Sequence, residues 1–316
     1  MDREVRSYEA EHVGGLWHWD AHVGSRKVVT SRGEWLAPVL FGVFDDRSRL
    51  ACHLQWYLAE TAENVAHGLS QAFQKRGLPR AGMSDNGAAM TAAEIAEGLE
   101  RLSIVHQTTL PYSAYQNAKS ETFWGLVEGR LIAMLESVPD LTLAFLNEAT
   151  QAWAEYEYNR KRHSEIDMTP LARFLAGPDV MRPSPDSAAL RLAFTRNDSR
   201  AQRKSDGTIV IEGRRFELPN RYRHLTRVEV RYASWDLTTV HLVDDRTGSV
   251  LCRLYPQDKA QNASGLRRSL EQTTSDAIPA PPKRTAGIAP LLAKLIDQHA
   301  ATGLPPAYLP KDEGED

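Results

Sequence analysis

Hydrophobic and polar positions divide the chain into stretches with different rhythms. Leu16–Asp20 (LWHWD) is a short aromatic segment that predicts a strand ending in a carboxylate. Two apolar runs follow, WLAPVLFGVF and LACHLQWYL, separated by Asp45-Asp46-Arg47-Ser48-Arg49. Two β-prone runs around a polar turn predict an antiparallel hairpin. AENVAHGLSQAFQKRG has helical spacing and runs into Gly77 and Pro79, the stop signals of a helix C-terminus. Next come a short RAGMSDNG segment, a helix over TAAEIAEGLERL and a strand-like SIVHQTTL. Beyond the loop PYSAYQ the spacing predicts a long helix over NAKSETFWGLVEGRLIAMLES and another over LTLAFLNEATQAWAEYEYNRKRH. Strands first, then helices alternating with strands, imply an α/β domain over residues 14–178, a mixed sheet with helices on its faces.

The Pro-rich segment GPDVMRPSPDS reads as a linker. Over residues 188–256 the pattern changes to short alternating runs: GTIVIEG, RFELPN, RVEVRYA, TTVHLVD and SVLCRLY. Five strands at close spacing predict a small all-β barrel or sandwich. Residues 257–316 are polar, with the cluster Ile278–Pro282, one amphipathic piece IAPLLAKLIDQHA and the acidic end KDEGED. A largely disordered tail with one short helix is expected there. No internal repeat is visible.

Composition changes this picture little. With 316 residues, 42% hydrophobic and 25% charged, the chain is an ordinary globular sequence of about two domains. No run approaches the roughly 20 apolar residues of a membrane helix, and MDREVRSYEA lacks a signal peptide's apolar run, so a cytoplasmic, nucleoid-associated location is expected. Cys52 and Cys252 make neither a disulfide framework nor a four-ligand zinc site; both are expected as small buried residues. Charge is distributed unevenly. The total is −3, yet Arg196–Arg231 holds ten Arg/Lys against five Asp/Glu, net +5, leaving −8 elsewhere. Such a local excess can meet phosphate.

Three carboxylates occupy particular settings. Asp20 ends the aromatic strand, Asp85 lies in SDNG where a strand gives way to a turn, and Glu121 sits near the start of a long helix. Side chains at the ends of rigid elements can converge. Hard cations such as Mg²⁺ prefer oxygen ligands, and a pair of them about 3.5–4 Å apart can clamp an in-line phosphoryl displacement. Each residue also has a plain structural reading: Asp85-Asn86-Gly87 as a turn, Glu121 as a solvated acid near a helix N-terminus, Asp20 as a strand end facing water.

The order and spacing resemble the catalytic core of DDE transposases and retroviral-type integrases. Thirty-five residues separate Asp85 from Glu121, and sixty-four separate Asp20 from Asp85. WHWD is similar to that family's first-strand motif, VLFGVFDDRSRLACHL to its hairpin, SDNG to its second-aspartate motif, and PYSAYQNAKSE to its loop into the glutamate helix. YNRKRHSEIDMTPLARF, with Tyr158, Asn159, Arg162, His163 and Pro170, resembles the segment closing the core. The resemblance covers about residues 14–175. It implies a ribonuclease H-like fold in which Asp20, Asp85 and Glu121 are catalytic and hold two Mg²⁺ or Mn²⁺ ions, for DNA 3′-end cleavage and strand transfer. It also assigns Asp45-Asp46 to the hairpin turn. Glu128, seven residues after Glu121 on the same helical face, is the competing third ligand. His163 is either a phosphate contact or, with Lys161 and Arg162, a cap on helix-end carbonyls. Where many relatives have glycine in the loop, this chain has Gln116-Asn117-Ala118, so a changed loop is expected.

Arg203, Lys204, Arg214, Arg215, Arg221, Arg223 and Arg227 are interleaved with the β-segments and are candidates for phosphate neutralisation without sequence reading. Lys119 is a further candidate for positioning a phosphate. The DGTI, GRRF and VEVRYASWDLTTVHLVDDRTG segments resemble the C-terminal β-barrel of phage Mu-type transposases. That subgroup implies DNA ends and target as partners, self-association on DNA, and an AAA+ ATPase docked on an extreme C-terminal peptide, for which IAPLLAKLIDQHAATGLPPAYLP is the candidate. Relatives carry helix-turn-helix domains before the core; the nineteen residues before Asp20 are too few for one. A truncated or domesticated derivative, or a frame beginning upstream, is the expectation. A non-catalytic DNA-binding remnant and a simple metal-dependent nuclease remain the alternatives.

Overall fold

In the computed structural model, which describes residues 9–109, 118–258 and 287–302 (backbone only at Ala118 and Lys119), LWHWDAHV forms strand β1, Leu16–Val23. Two short strands, β2 (Val28–Val29) and β3 (Trp35–Leu36), follow as an antiparallel ribbon. The expected hairpin is β4 (Val39–Asp45) and β5 (Ala51–Tyr57), with β4 antiparallel to β1. The run WLAPVLFGVF is therefore two elements rather than one. Pro38, which has no N–H for a ladder, separates them. β6 (Ala81–Ser84) pairs parallel with β1, and β7 (Val105–Thr108) parallel with β6. The order β5-β4-β1-β6-β7 is a mixed five-stranded sheet with β1 at its centre.

Helix α1 (Ala62–Arg76) begins where the Thr61 hydroxyl accepts the Asn64 N–H at 3.2 Å, and ends at Gly77, whose φ of 92° a side chain would disfavour. It covers one face of the sheet, with Trp17 stacked on Phe73 at 6.0 Å between centroids. α2 (Ala93–Arg101) leads to β7. The long helix expected after the loop is α3 (Ala118–Leu126) running into a π-helical turn, Val127–Ile132. Gly125 and Gly129 weaken the α-ladder there, each by about 1 kcal/mol relative to alanine. α4 (Leu143–Tyr156), α5 (Pro170–Ala176) and α6 (Ser187–Ala193) complete the run. The opposite face of the sheet holds the main core, in which Phe44, Leu54 and Trp56 meet Phe123, Trp124, Leu146 and Trp153.

An exposed edge strand invites unwanted pairing, and β5 is closed by amide side chains. Asn147 on α4 accepts the Trp56 N–H at 2.7 Å and donates to the Trp56 carbonyl at 3.0 Å. Gln151, one turn on, donates to the Leu54 carbonyl and accepts from Lys75 at 2.6 Å. Asn159 does the same for both backbone groups of Ala51, at 3.0 and 3.1 Å. Nearby, Tyr158 donates to the Arg49 carbonyl at 2.9 Å, and Glu165 takes two hydrogen bonds from the Arg49 guanidinium, at 3.2 and 2.8 Å. The YNRKRH segment thus holds the hairpin turn.

The chain divides into two compact units, residues 1–190 with 280–316, and residues 191–279. The second has six strands rather than five: β8 (Arg196–Ala201), β9 (Thr208–Ile211), β10 (Arg214–Glu217), β11 (Arg227–Ala233), β12 (Asp236–Val243) and β13 (Val250–Pro256). They pair antiparallel in the order β8-β11-β12-β13-β10-β9. An Arg203–Thr208 bridge joins the ends of that order, so the sheet nearly closes into a barrel around Ile209, Phe216, Val230, Leu242 and Leu254.

Helix α7 (Pro290–Ala300) is the amphipathic piece of the expected tail. It is no free peptide: Leu292 and Leu295 are buried in the same core as Leu146 and Trp153. The apolar face expected to dock an ATPase is therefore taken by the chain itself, because two leucines one helical turn apart bury more area against a packed core than in water. Residues 278–282 and 303–316 lie outside the described residues. Cys52 is buried as expected, whereas Cys252 is only half-buried; both are free thiols.

Replacing Asn159 by alanine leaves the N–H and C=O of Ala51 buried and unpaired. A loss of about 2–3 kcal/mol is expected, read as a lower urea midpoint with unchanged slope. An unchanged midpoint would show that the edge needs no amide clamp.

Candidate active site

The parallel register of β1 and β6 pairs Leu16 with Ala81, Trp17 with Gly82 and His18 with Met83. Carried two residues on, it sets Asp20 beside Asp85, on strands about 4.8 Å apart; Asp85 follows the end of β6, but β1 runs on to Val23, so Asp20 lies within its strand rather than ending it as expected. Asp20 shares a sheet face with His18 and His22, since side chains alternate along a strand. Its partner in β4 is Gly42. A Cβ at Gly42 would stand 2.6 Å from the Phe44 ring and 2.7 Å from the Trp124 ring, so glycine is what admits the indole. Trp124, on α3, donates its Nε1–H to Asp20 Oδ2 at 3.2 Å and lies nearly parallel to His22, centroids 5.4 Å apart. The Ala21 N–H donates to the other carboxylate oxygen at 2.9 Å.

Asp85 performs the turn role its sequence suggests, accepting the Gly87 N–H at 3.0 Å, while the Asn86 amide donates to the Thr109 carbonyl at 2.7 Å. A third acid joins them. A Cβ at Gly87 would be 3.1 Å from Asp85 Oδ1 and 3.2 Å from Glu60 Oε1, which puts both carboxylates around the same small residue. Burial pushes the Asp20 carboxyl above the usual range; the Trp124 and Ala21 hydrogen bonds oppose that shift and the Asp85 charge adds to it. Glu60 is likewise raised, first by burial, then by the charges of Asp85 and Asp20. Glu60 and Trp124 are the residues that sequence reading missed. Glu60 stands in a polar stretch between β5 and α1 with no motif around it, and an apolar-face tryptophan carries no sign of its hydrogen bond.

Glu121 stands one helical turn before Trp124, on the same face of α3, and is exposed. Among the described residues no group of three or more His, Cys, Asp or Glu is arranged to hold a metal ion. The strand register brings Asp20 and Asp85 together, and Glu121 lies on the helix whose Trp124 is hydrogen-bonded to Asp20. The two aspartates fit a hard divalent cation in their chemistry: oxygen donors, adjacent, partly desolvated and mutually repelling, a strain that a bound cation offsets.

Glu128, the competing ligand, is occupied elsewhere. It accepts from His22 Nε2 at 2.9 Å, from the Ser25 N–H at 3.2 Å and from the Ser25 hydroxyl. Burial works to raise its carboxyl, but these hydrogen bonds win and hold it below the usual range. Asp45 and Asp46 are buried structural acids. Asp45 accepts from Ser48 N–H and hydroxyl at 2.8 and 2.6 Å and from Gly14 N–H at 2.7 Å; Asp46 accepts from Ala10 N–H at 2.6 Å and pairs with His18 at 3.0 Å. His163 caps no helix end: its Nδ1 accepts the Glu165 N–H at 3.3 Å within its own loop. The Lys119 side chain and residues 116–117 lie outside the described atoms.

In the second unit Asp206 draws in several of the candidate cations. Arg215 and Arg203 lie 3.2 and 3.7 Å from its carboxylate, and Arg223 donates to its carbonyl at 3.2 Å. The Arg221 guanidinium sits 4.8 Å over the Tyr222 ring, while Lys204, Arg214 and Arg227 are exposed. All seven candidates on this unit are at the surface, but Asp206 offsets part of their charge.

No family model and no curated protein sequence matches the chain. Among solved structures it is similar to the catalytic core domain of BIV integrase, with 23% identity and a TM-score of 0.40 over 51% of this chain and 94% of that one. A simian T-cell lymphotropic virus intasome in complex with PP2A regulatory subunit B56 gamma gives 16% identity and 0.47, covering 79% of each chain. The HTLV-2 integrase catalytic core domain in complex with magnesium gives 19% identity and 0.41, covering 54% of this chain and 99% of that one. Strand order and register in the chain itself, rather than these likenesses, define its fold. No helix among the described residues is long and apolar enough to cross a membrane.

A carboxyl raised in the folded state destabilises the fold increasingly as pH rises from its unfolded value through the raised one. Asp20→Asn removes that cost. Without divalent ions its melting temperature at pH 7 is expected to exceed the wild type's by about 1–3 °C, the gain vanishing below about pH 4. Calorimetry across that range checks it; a lower melting point at pH 7 contradicts it.

Proposed function

We propose that the chain is a DNA polynucleotidyl transferase of the transposase/integrase type, with Asp20, Asp85 and Glu121 as its catalytic carboxylates in a ribonuclease H-like core. The observation that carries the reading is the β1–β6 register, which, carried two residues on, brings Asp20 within β1 beside Asp85 at the carboxyl end of β6, where ligands meet open α/β sheets. The hydrogen bond from Trp124 to Asp20 supports it, because it ties the helix that carries Glu121 to that strand end.

These three carboxylates would hold two Mg²⁺ or Mn²⁺ ions, which supply nucleophile activation and charge stabilisation for phosphoryl displacement. The chain's own residues do the positioning. Trp124 and the Ala21 N–H fix both oxygens of Asp20, and the Gly87 N–H fixes one oxygen of Asp85, leaving its other free to face a ligand. Cleavage at a DNA end followed by attack of the freed 3′-hydroxyl on target DNA requires no covalent enzyme intermediate. Phosphates of the DNA would be met by Lys119 and by the exposed cations of the second unit, Arg203, Lys204, Arg214, Arg215, Arg221 and Arg223. Self-association on DNA belongs to the same reading.

The test incubates the chain with Mg²⁺, a labelled duplex and a target plasmid. Joined products are expected, and Asp85→Asn should lower joining about 100-fold or more, the scale of several kcal/mol of lost charge stabilisation, while DNA retardation persists. Cutting without joining would mean a nuclease, and retardation without either a non-catalytic DNA-binding protein. Normal joining by the variant would overturn the assignment.

A further inference from the structure

The ribbon β2–β3, residues 24–38, performs no task in the site described above. Its stalk is anchored. Val28 is fully buried, the Val29 N–H donates to the Leu141 carbonyl at 2.8 Å, the Gly24 N–H donates to the Pro38 carbonyl at 2.8 Å, and Arg26 donates to the Val138 carbonyl. Its turn is closed by Gly33 donating to Thr30 and Thr30 to Glu34, both at 2.9 Å. Ser25, at its base, is held by Glu128, so that carboxylate fastens the ribbon to the helix of the site. Yet apolar side chains are open to water on both faces of its second strand: Trp35, on the Val29 face, is 46% exposed and Leu36, on the Val28 face, 38%, with Val23 63% exposed at the end of β1. A rigid mount that presents a large aromatic to water marks a recognition surface.

The register defines what shares the surface. Trp35 pairs with Val29, so Lys27, two residues before Val29, lies on the same ribbon face as the indole. Lys27 and Arg32 are exposed, and from residue 24 to 38 three basic residues stand against one acid, Glu34. Position matters as well. The ribbon continues the β1–β4 pair directly, Val23 opposite Val39, and Val23 is three residues, about 10 Å, beyond Asp20. An aromatic face beside a lysine, a short walk from carboxylates suited to phosphoryl chemistry, matches a nucleobase with its phosphate better than a protein side chain.

We propose that this ribbon is a DNA-end arm, in which Trp35 stacks on an unpaired base and Lys27 neutralises the adjoining phosphate, so that a frayed or tailed end is held beside Asp20. The inference rests on the DNA reading above and deepens it by naming a substrate feature, single-stranded character at the end. Stacking ignores base identity, so the arm discriminates end structure rather than sequence.

The experiment measures binding of the full chain, in EDTA so that nothing is cut, to a labelled blunt duplex and to the same duplex with a single-stranded tail. Wild type is expected to prefer the tailed duplex. Trp35→Ala should weaken tailed binding roughly tenfold and leave blunt binding nearly unchanged, while Trp35→Phe keeps most of the preference. Lys27→Ala should lower affinity for both and reduce the salt slope by about one counterion. Equal affinities of wild type and Trp35→Ala for the tailed duplex would overturn the inference while leaving the DNA reading intact. So would equal loss on both duplexes, or a Trp35→Ala variant whose only defect, by light scattering, is lost self-association. A wild type that binds neither duplex would overturn both readings together. Unchanged circular dichroism of the variants confirms that each comparison is between folded chains.

Discussion

The parallel pairing of β1 with β6 is the constraint on which the site and its surroundings depend. A slip of one residue would turn Asp20 to the other face of the sheet, where Trp17 meets Phe73 and Trp19 stacks on His106 at 5.3 Å. That face has no room to spare. A Cβ on Gly82 would fall 1.8 Å from the Trp19 ring, so the glycine in β6 and the tryptophan in β1 fit only in the observed register. The pairing itself requires the chain to cross the sheet, and α1 makes that crossover from β5 to β6 over the buried aromatic face. Apolar packing on one side of β1 thus sets the spacing of two carboxylates on the other.

Hydrogen-bond satisfaction separates the structural acids from the candidate ones. Asp45 is fully buried, and three donors converge on it; Asp46, nearly as buried, has a backbone N–H, His18 and Arg49 around it. Glu128 is covered by His22 and Ser25. Such carboxylates have most of their acceptor capacity taken, and removing one would strand its donors. Asp20 and Asp85 each keep acceptor capacity after their few hydrogen bonds. The Asp85 charge also opposes the ionisation of Asp20. That combination is costly for stability, and protein sites retain it where a cation or a reacting phosphate is to be met.

Much of this arrangement was legible along the chain, and the exceptions share a cause. Alternation, helix stop signals and the turn chemistry of Asp45–Arg49 and Asp85–Gly87 are local, so the hairpin, α1 and the strand end before Asp85 follow from neighbours in sequence, whereas β1 runs three residues past the expected end at Asp20. β8 was hidden because RNDSRA has no apolar alternation; it is held by polar contacts such as Arg200 and Asp198 to the Tyr232 hydroxyl. The roles of Glu128, Trp124 and Glu60 depend on partners many positions away. So does the burial of α7, whose amphipathic spacing says that it has an apolar face but not which surface receives it. The Asp206 cluster shows the same limit for charge: a count of arginines measures their number, not what already neutralises them.

Charge is divided between the two units. Neighbouring carboxylates repel a polyanion, so any attraction for one has to come from cations elsewhere. With a net charge of −3 the chain offers no general attraction, and the +5 of Arg196–Arg231 is concentrated in the unit that lacks the acids. Asp206 trims that charge and orients Arg203 and Arg215, so the cations there are fixed groups rather than a diffuse positive field. In the first unit the ribbon adds local basic charge and an aromatic face where the acids begin. Attraction through such dispersed cations is screened by salt, whereas the spacing of Asp20 and Asp85 is set by the register of β1 and β6. Positive charge and paired carboxylates are thereby carried by separate residues, and each can change without disturbing the fold that holds the other.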